Sequence, residues 1–360
     1  MNLTLDLRKL RDSGVGTYLT NLIPHVIAAL PDTAFNLIGN KDDPATQTWA
    51  TGKNIRLINY RRRPYSPIEQ VEMPRLIPAD TDLLWVPFIN IPLLYRGKLL
   101  VTVYDLNFLA LPQLLSRPQR LYARLMFTAI RRKATRVLSI SQFTKDEYLR
   151  YVPGQHDNVT VTLLGTPPQW QTTSPAGQPN PHPRPFFLFL GNVKPHKNLA
   201  RLIQAFKQIS GQVPHDLLIV GKKEGFIIAD RAVEVAAAEL GARIAFSGYL
   251  DDETLKGYFA HATALVFPSL YEGFGLPPLE AMACGCPTLV SNGFSLPEVC
   301  ADASLYCDPY SVDDIAAKML EIATRADLRA TLIARGKQRA AQLTWESCAQ
   351  KTVAVIHDLL

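Results

Sequence analysis

Long apolar runs are missing from this 360-residue chain. None approaches the roughly 20 residues needed to span a bilayer, so no membrane-crossing helix is expected. Cysteine is scarce: Cys284, Cys286, Cys300, Cys307 and Cys348 all lie in the second half, with no CxxC pair. That usage excludes a disulfide framework and suits the reduced thiols of a cytoplasmic protein. The seven histidines lack metal-ligand spacing, so neither a metal nor another cofactor is expected. The opening "MNLTLDLRKL" carries acid and base early and has no continuous apolar core, so no signal peptide is expected there. An Asp-x-Asp at Asp80 and Asp82 sits where an apolar strand candidate begins, and it reads as a solvated strand end.

What is present describes a folded chain. Hydrophobic residues make up 47% and charged residues 19%, the balance of a globular protein. The length is large for one core and suits two domains. The net charge of +6 is unevenly spread: residues 1–165 hold 21 Lys and Arg against 13 Asp and Glu, whereas the remainder carries a net −2. The first half therefore favours anionic partners. No nucleic-acid-binding module is visible, so acidic lipid or a phosphorylated substrate is the expected partner, not nucleic acid.

Apolar runs of strand length alternate with segments of helical period, the pattern of parallel α/β units. Strands are expected at Phe35–Gly39, Ile55–Tyr60, Leu83–Phe88, Leu99–Tyr104, Arg136–Ile140 and Val159–Leu164. In the second half they are expected at Phe186–Leu190, Asp216–Val220, Ile244–Gly248, Ala264–Pro268, Pro287–Ser291 and Ser304–Cys307. Helices are expected at Gly16–Leu30, Arg117–Lys133, Asn198–Ile209, Ile228–Leu240, Asp251–Ala260, Pro278–Ala283, Val312–Arg325 and Trp345–Leu360. Between the halves, "TPPQWQTTSPAGQPNPHPRP" (166–185) is rich in proline, which removes backbone donors, and it reads as a linker. The expected division is thus 1–165, a linker at 166–185, and 186–343. A final helix at 344–360 is expected to pack back on the first domain. Doubly wound sheets of this kind bind ligands beyond the carboxyl ends of their strands.

One loop after a strand concentrates chemistry. In "YEGFGLPPLE", Glu272 and Glu280 flank a turn whose Gly273 and Gly275 permit close backbone approach. Pro277 and Pro278 set up a helix start. The N–H groups of Phe274, Gly275 and Leu276 would face an anion or sugar hydroxyls, and carboxylates suit vicinal hydroxyls. Acids that simply favour a helix dipole would look similar. A second feature is the helix at 117–133, with Arg117, Arg120, Arg124 and Arg131 on one face and Leu121, Tyr122, Leu125 and Ala129 expected to turn away. No acid interrupts it. It fits a plain solvated helix or a basic amphipathic helix resting on anionic lipid.

The run "EGFGLPPLEAMACGCPTLVSNGFSLPEV" resembles the E-x7-E signature of the retaining glycosyltransferases of family 4, which have the GT-B fold. "FLFLGNVKPHKNLARLIQAF" is similar to that family's phosphate-binding strand, loop and helix. "DLLIVG", "IAFSGYLDDETLKGYFAHATALVFPS" and "ADASLYCDP" follow in the family's order, and "ISQFTKDEY" and "DSGVGTYLTNLI" match parts of its first domain. The resemblance implies two Rossmann-like domains facing a cleft. It implies that Glu272 and the amides of Phe274, Gly275 and Leu276 hold the donor hexose, and that Glu280 holds the ribose. Lys197 would neutralise the diphosphate as a point charge on a flexible stem. Gly191 and Asn192 follow the first strand of this domain. Where relatives often carry arginine this chain has Asn192, and Lys194 is the candidate replacement. Tyr249 and Leu250 would meet the base, and Gly14 and Gly16 would contact a phosphate or the acceptor. Relatives usually have histidine where Tyr104 precedes Asp105. A tyrosine can donate to a sugar or phosphate, but its pKa near 10 makes it a poor proton shuttle.

The resemblance is strongest to bacterial mannosyltransferases of exopolysaccharide and O-antigen assembly. It implies hexose transfer from a nucleotide sugar, with GDP-mannose favoured over UDP-sugars, to a saccharide or polyprenyl-diphosphate-linked acceptor. The +8 first half, the basic helix at 117–133 and the run Arg61-Arg62-Arg63 add the expectation of a cytoplasmic enzyme peripheral on the inner face of the membrane. A sugar phosphorylase or a nucleotide-sugar-binding protein without transfer are the readings of another class.

Overall fold

The computed structural model describes all residues except 53, 63, 155–156, 172–179, 193, 222–236, 238 and 360. The chain divides into two compact units: Met1–Leu164 with Trp345–Leu360, and Gly165–Thr344.

Unit 1 is built on seven parallel strands: β1 (Asn2–Asp6), β2 (Ala34–Gly39), β3 (Ile55–Asn59), β4 (Leu83–Val86), β5 (Leu99–Val103), β6 (Arg136–Ser139) and β7 (Val159–Val161). Their order is β3-β2-β1-β4-β5-β6-β7. β4 and β5 are buried at every position, as strands covered on both faces must be. The helix Ser13–Ala29 lies beside the final helix Trp345–Asp358, and Tyr18 meets the Trp345 ring edge-on at 6.1 Å. Unit 2 repeats the scheme with β8 (Phe186–Leu190), β9 (Asp216–Val220), β10 (Ile244–Gly248), β11 (Ala264–Phe267), β12 (Thr288–Ser291) and β13 (Leu305–Cys307). Here the order is β10-β9-β8-β11-β12-β13, again all parallel. Phe187, Phe189, Phe206 and Ile219 belong to the core on one face of this sheet.

In both sheets the chain order reverses beside the first strand of the unit, between β1 and β4 and between β8 and β11. Loops leaving two adjacent parallel strands emerge at the same edge and open a crevice there. The architecture is therefore two Rossmann-like parallel α/β units.

Several sequence expectations are corrected. β1 was not among the expected strands, yet it is central to its sheet; Asp6 and Arg8 break its apolar pattern, and both prove to be buried partners of each other. The first helix begins at Ser13, not Gly16, so both glycines lie inside it. Part of the expected linker is not extended: Pro168–Gln171 forms one helical turn. Trp170, 3% exposed, packs against Phe259 there and accepts from the Cys284 thiol through its carbonyl. The rest of that linker and the expected helix at 228–240 fall largely outside the described residues. All five cysteines are buried thiols outside any disulfide.

Candidate functional site

The carboxyl edge of unit 2 brings together residues 75 positions apart. A 3₁₀ turn, Pro195–Lys197, follows β8, and the Glu272 loop follows β11. Because these strands are neighbours, the Lys197 ammonium reaches the Glu272 carboxylate at 2.5 Å. Both side chains are largely shielded, which strengthens a charge pair relative to the same pair in water. Gly191 adjoins the stem of Lys197. The His196 carbonyl accepts from the Leu270 N–H at 2.7 Å, a second tie between the two loops. Burial, with Lys197 adding to it, lowers the His196 pKa to about 4, so the ring is neutral at physiological pH.

Asn198 completes the junction. Its backbone is left-handed at φ 62°, and its buried amide donates to the carbonyls of Pro268 (2.8 Å) and Pro309 (2.7 Å). The Glu272 loop then enters the helix Leu276–Ala283 through Gly275 at φ 105°. A Cβ at Gly275 would stand 2.6 Å from Leu296, so the position excludes other residues on two counts. Pro277 and Pro278 carry no N–H, which leaves Gly275 and Leu276 to offer donors where the helix begins. Glu280, on that helix, has its pKa raised to about 7 by burial, with Asp252 adding to the shift. The arrangement offers one cation, two carboxylates and a row of amides at one edge, a set suited to a phosphorylated, hydroxyl-rich ligand.

Other candidates from this unit lie around that edge. Asn192 and Lys194 are exposed, joined by a Lys194 N–H to Asn192 carbonyl bond of 2.8 Å. Tyr249 follows β10 and is 71% exposed, and Leu250 beside it is half-buried.

Unit 1 holds the remaining candidates. A side chain at Gly14 would meet nothing within 4 Å, whereas a Cβ at Gly16 would strike the Leu10 carbonyl oxygen at 2.4 Å. Gly16 is thus required by the fold itself, and Gly14 is not. The expectation that Tyr104 presents its hydroxyl to a substrate is corrected: the hydroxyl is enclosed without a hydrogen-bond partner, and the ring stands edge-on to Tyr18 at 5.2 Å. Burial drives its pKa well above 10, which makes proton transfer still less accessible. Asp105 accepts from the Asn107 N–H and shapes the start of a short helix. Asp82 and Asp80 are bound by Asn2 at the sheet edge.

The basic helix Arg117–Lys133 also departs from expectation. Leu121 and Leu125 are 71% and 50% exposed and share the face of Arg117, Arg120 and Arg124; the buried face is Ala123, Met126, Phe127, Ala129 and Ile130. Arg131 is committed to the Pro153 carbonyl. Arg61 and Arg62 pair with Asp42 and Glu72, so they add little free positive charge; Arg63 is outside the described residues. At the crossover edge of this sheet, sequence reasoning missed a buried network. Arg8 binds Asp6 and Glu69, and Asn90 binds Glu69 as well. Burial opposes the Arg8 charge, but the two carboxylates outweigh it and raise its pKa.

A family model described as "Glycosyl transferases group 1" matches residues 171–339. The O-antigen chain mannosyltransferase B of Escherichia coli is 31% identical over 267 residues, spanning 71% of this chain and 69% of the relative. Among solved structures, the sucrose-phosphate synthase of Thermosynechococcus elongatus aligns over 100% of this chain and 99% of its own, with TM-score 0.77 and 21% identity. HepE of Anabaena in complex with UDP-glucose aligns over the whole of both chains, with TM-score 0.78 and 16% identity. These neighbours are GT-B glycosyltransferases, and two Rossmann-like parallel-sheet units place this chain in the same fold class.

Glu280 generates a pH dependence. A folded-state pKa above the ordinary carboxylate value favours the protonated acid. That contribution to stability is complete below about 4.5 and is lost as pH rises through about 7. A carboxylate accepts hydroxyl hydrogen bonds more strongly than the neutral acid. Affinity for a nucleoside diphosphate, measured by calorimetry, should therefore rise between pH 6 and pH 8. The rise should be absent in Glu280→Gln, and an identical pH profile in both proteins would refute the assignment.

Proposed function

The chain belongs to the group 1 glycosyl transferases, and from that premise we propose that it moves mannose from GDP-mannose to a lipid-carried saccharide with retention of configuration. The observation that carries this reading is the Lys197–Glu272 pair at 2.5 Å with the amides of Gly275 and Leu276 beside it. Lys197 takes the donor diphosphate, Glu272 and the amides take the hexose, and Glu280 takes the ribose. The bond from the anomeric carbon to phosphate breaks while a bond to the acceptor oxygen forms on the same face. The acceptor proton passes to the leaving phosphate oxygen, which releases nucleoside diphosphate. That route needs no protein base, in keeping with the enclosed Tyr104 hydroxyl. Mannose is supported by the name of the E. coli relative. A UDP-sugar donor is the second reading, supported by the UDP-glucose held by HepE.

The acceptor reading draws on unit 1. Arg117, Arg120 and Arg124 have no acidic partner among the described residues, and Leu121 and Leu125 stand exposed between them. Arginines at the headgroups with leucines below them are the arrangement of an interfacial helix on an anionic bilayer. A helix of that kind supports the reading of a polyprenyl-diphosphate-linked acceptor.

Two measurements follow. Transfer from GDP-mannose to a lipid-extract acceptor should be detectable, and Glu272→Ala should lower donor use about ten- to a hundred-fold, the loss of a charge-assisted hydrogen bond of about 1.5–3 kcal/mol. Transfer from UDP-sugars alone would overturn the donor; phosphate-dependent disaccharide breakdown would favour a phosphorylase. Sedimentation should show binding to anionic vesicles that weakens with salt. Replacing Arg117, Arg120 and Arg124 with Gln should weaken it about a hundredfold, at about 1 kcal/mol per charge. Equal binding to neutral and anionic vesicles would return the helix to a solvated role.

A further inference from the structure

The turn Gly293-Phe294-Ser295 spends local stability in two places. Phe294, a bulky residue, is held at φ 64°, a left-handed conformation that side chains of its size rarely adopt. Ser295 is the residue preceding the helix Leu296–Cys300, the position where a serine hydroxyl ordinarily caps the first turn. It makes no such cap. Its fully buried hydroxyl instead donates to the carbonyls of Glu272 at 2.9 Å and Phe274 at 2.8 Å, one proton shared between two acceptors. Strain of this kind persists only where the surroundings enforce it, and it gathers at functional sites.

The consequence is directional. In a trans peptide the N–H points opposite to the carbonyl before it. With the carbonyls of Glu272 and Phe274 drawn down to Ser295, the N–H groups of Gly273 and Gly275 are aimed away from it. The turn is pressed against the loop from below: the Phe294 ring lies 5.8 Å from that of Tyr271, and Leu296 closes on Gly275. Two other buried side chains hold the loop further back, Asn198 at the Pro268 carbonyl and Ser291 at the Ser269 carbonyl. Ser295 grips the backbone of the stretch that carries Glu272 and the amides.

We propose that Ser295 is a positioning residue of the donor site, its hydroxyl fixing the direction of the amides between Glu272 and Leu276 that receive the nucleotide sugar. Phe294, in its left-handed conformation, holds that hydroxyl under the loop. The inference rests on the donor-site reading above. Ser295 touches no substrate; it acts through the backbone.

Ser291→Ala is the matched control, since it too deletes a fully buried hydroxyl bound to a carbonyl of the same loop. The intact chain, Ser295→Ala, Ser291→Ala and Glu272→Ala are titrated calorimetrically with GDP-mannose and UDP-glucose, and each is melted without ligand. Ser295→Ala should weaken the nucleotide sugar that the parent binds about tenfold, and Ser291→Ala less than twofold, although their melting midpoints fall by similar amounts. A purely structural serine would give equal affinities at equal loss of stability, and that result overturns the proposal. So does parent-like binding by Ser295→Ala while Glu272→Ala binds the nucleotide sugar more weakly than the parent. If Glu272→Ala also binds like the parent, the donor-site reading itself fails, and the proposal with it.

Discussion

The ion pair between Lys197 and Glu272 is the constraint on which the rest of unit 2 turns. Each charge is mostly shielded from water, and a shielded charge without a partner costs several kcal/mol. The pair therefore demands that two loops far apart in sequence meet within hydrogen-bond distance. The fold answers with adjacent parallel strands, β8 and β11, whose following loops share one edge. Asn198 in its left-handed conformation, the His196 carbonyl on the Leu270 amide, and Ser295 under Glu272 then remove the freedom left to each loop. Loops so constrained keep little backbone freedom to lose, which lowers the ordering cost of binding any ligand.

Unit 1 has the same sheet plan but a different emphasis. Its crossover edge is closed by Arg8, Asp6, Glu69 and Asn90, all buried, which fix the chain at the ends of β1 and β4. Elsewhere in this unit, the Arg117–Lys133 helix exposes Arg117, Arg120 and Arg124, without acidic partners among the described residues, on the face it shares with Leu121 and Leu125. The two units thus differ: one edge of unit 2 gathers a cation, carboxylates and amides, whereas unit 1 exposes arginines and leucines along one helix.

The parallel α/β plan was legible in the sequence because buried strands read as short apolar runs: "FFLFL", "DLLIV" and "ALVF" are strands within a residue of their expected limits. β1 was not legible, since Asp6 and Arg8 carry charges whose mutual neutralisation only the fold reveals. Leu121 and Leu125 were assigned to the wrong face because helical spacing groups residues without saying which side meets the sheet. In the site, Lys197, Glu272 and Glu280 stood out through turn chemistry and motif order. Ser295 did not, because a serine before Leu-Pro-Glu reads as an ordinary helix cap; its commitment to two carbonyls belongs to tertiary structure. Tyr104 could be named from the sequence but not oriented, and its enclosure follows from packing against Tyr18.

The central claim is that Lys197 and Glu272 hold one another until a donor separates them, the lysine going to the diphosphate and the glutamate to the sugar. The direct measurement is the affinity of Lys197→Ala, Glu272→Ala and the double variant for a nucleoside diphosphate and for the matching nucleotide sugar. The account predicts that Lys197→Ala weakens both ligands. Glu272→Ala, by freeing the lysine, should leave the diphosphate bound at least as tightly as in the parent while abolishing the added affinity that the sugar confers. Equal weakening of the diphosphate by both single variants, or no change in either, would contradict it.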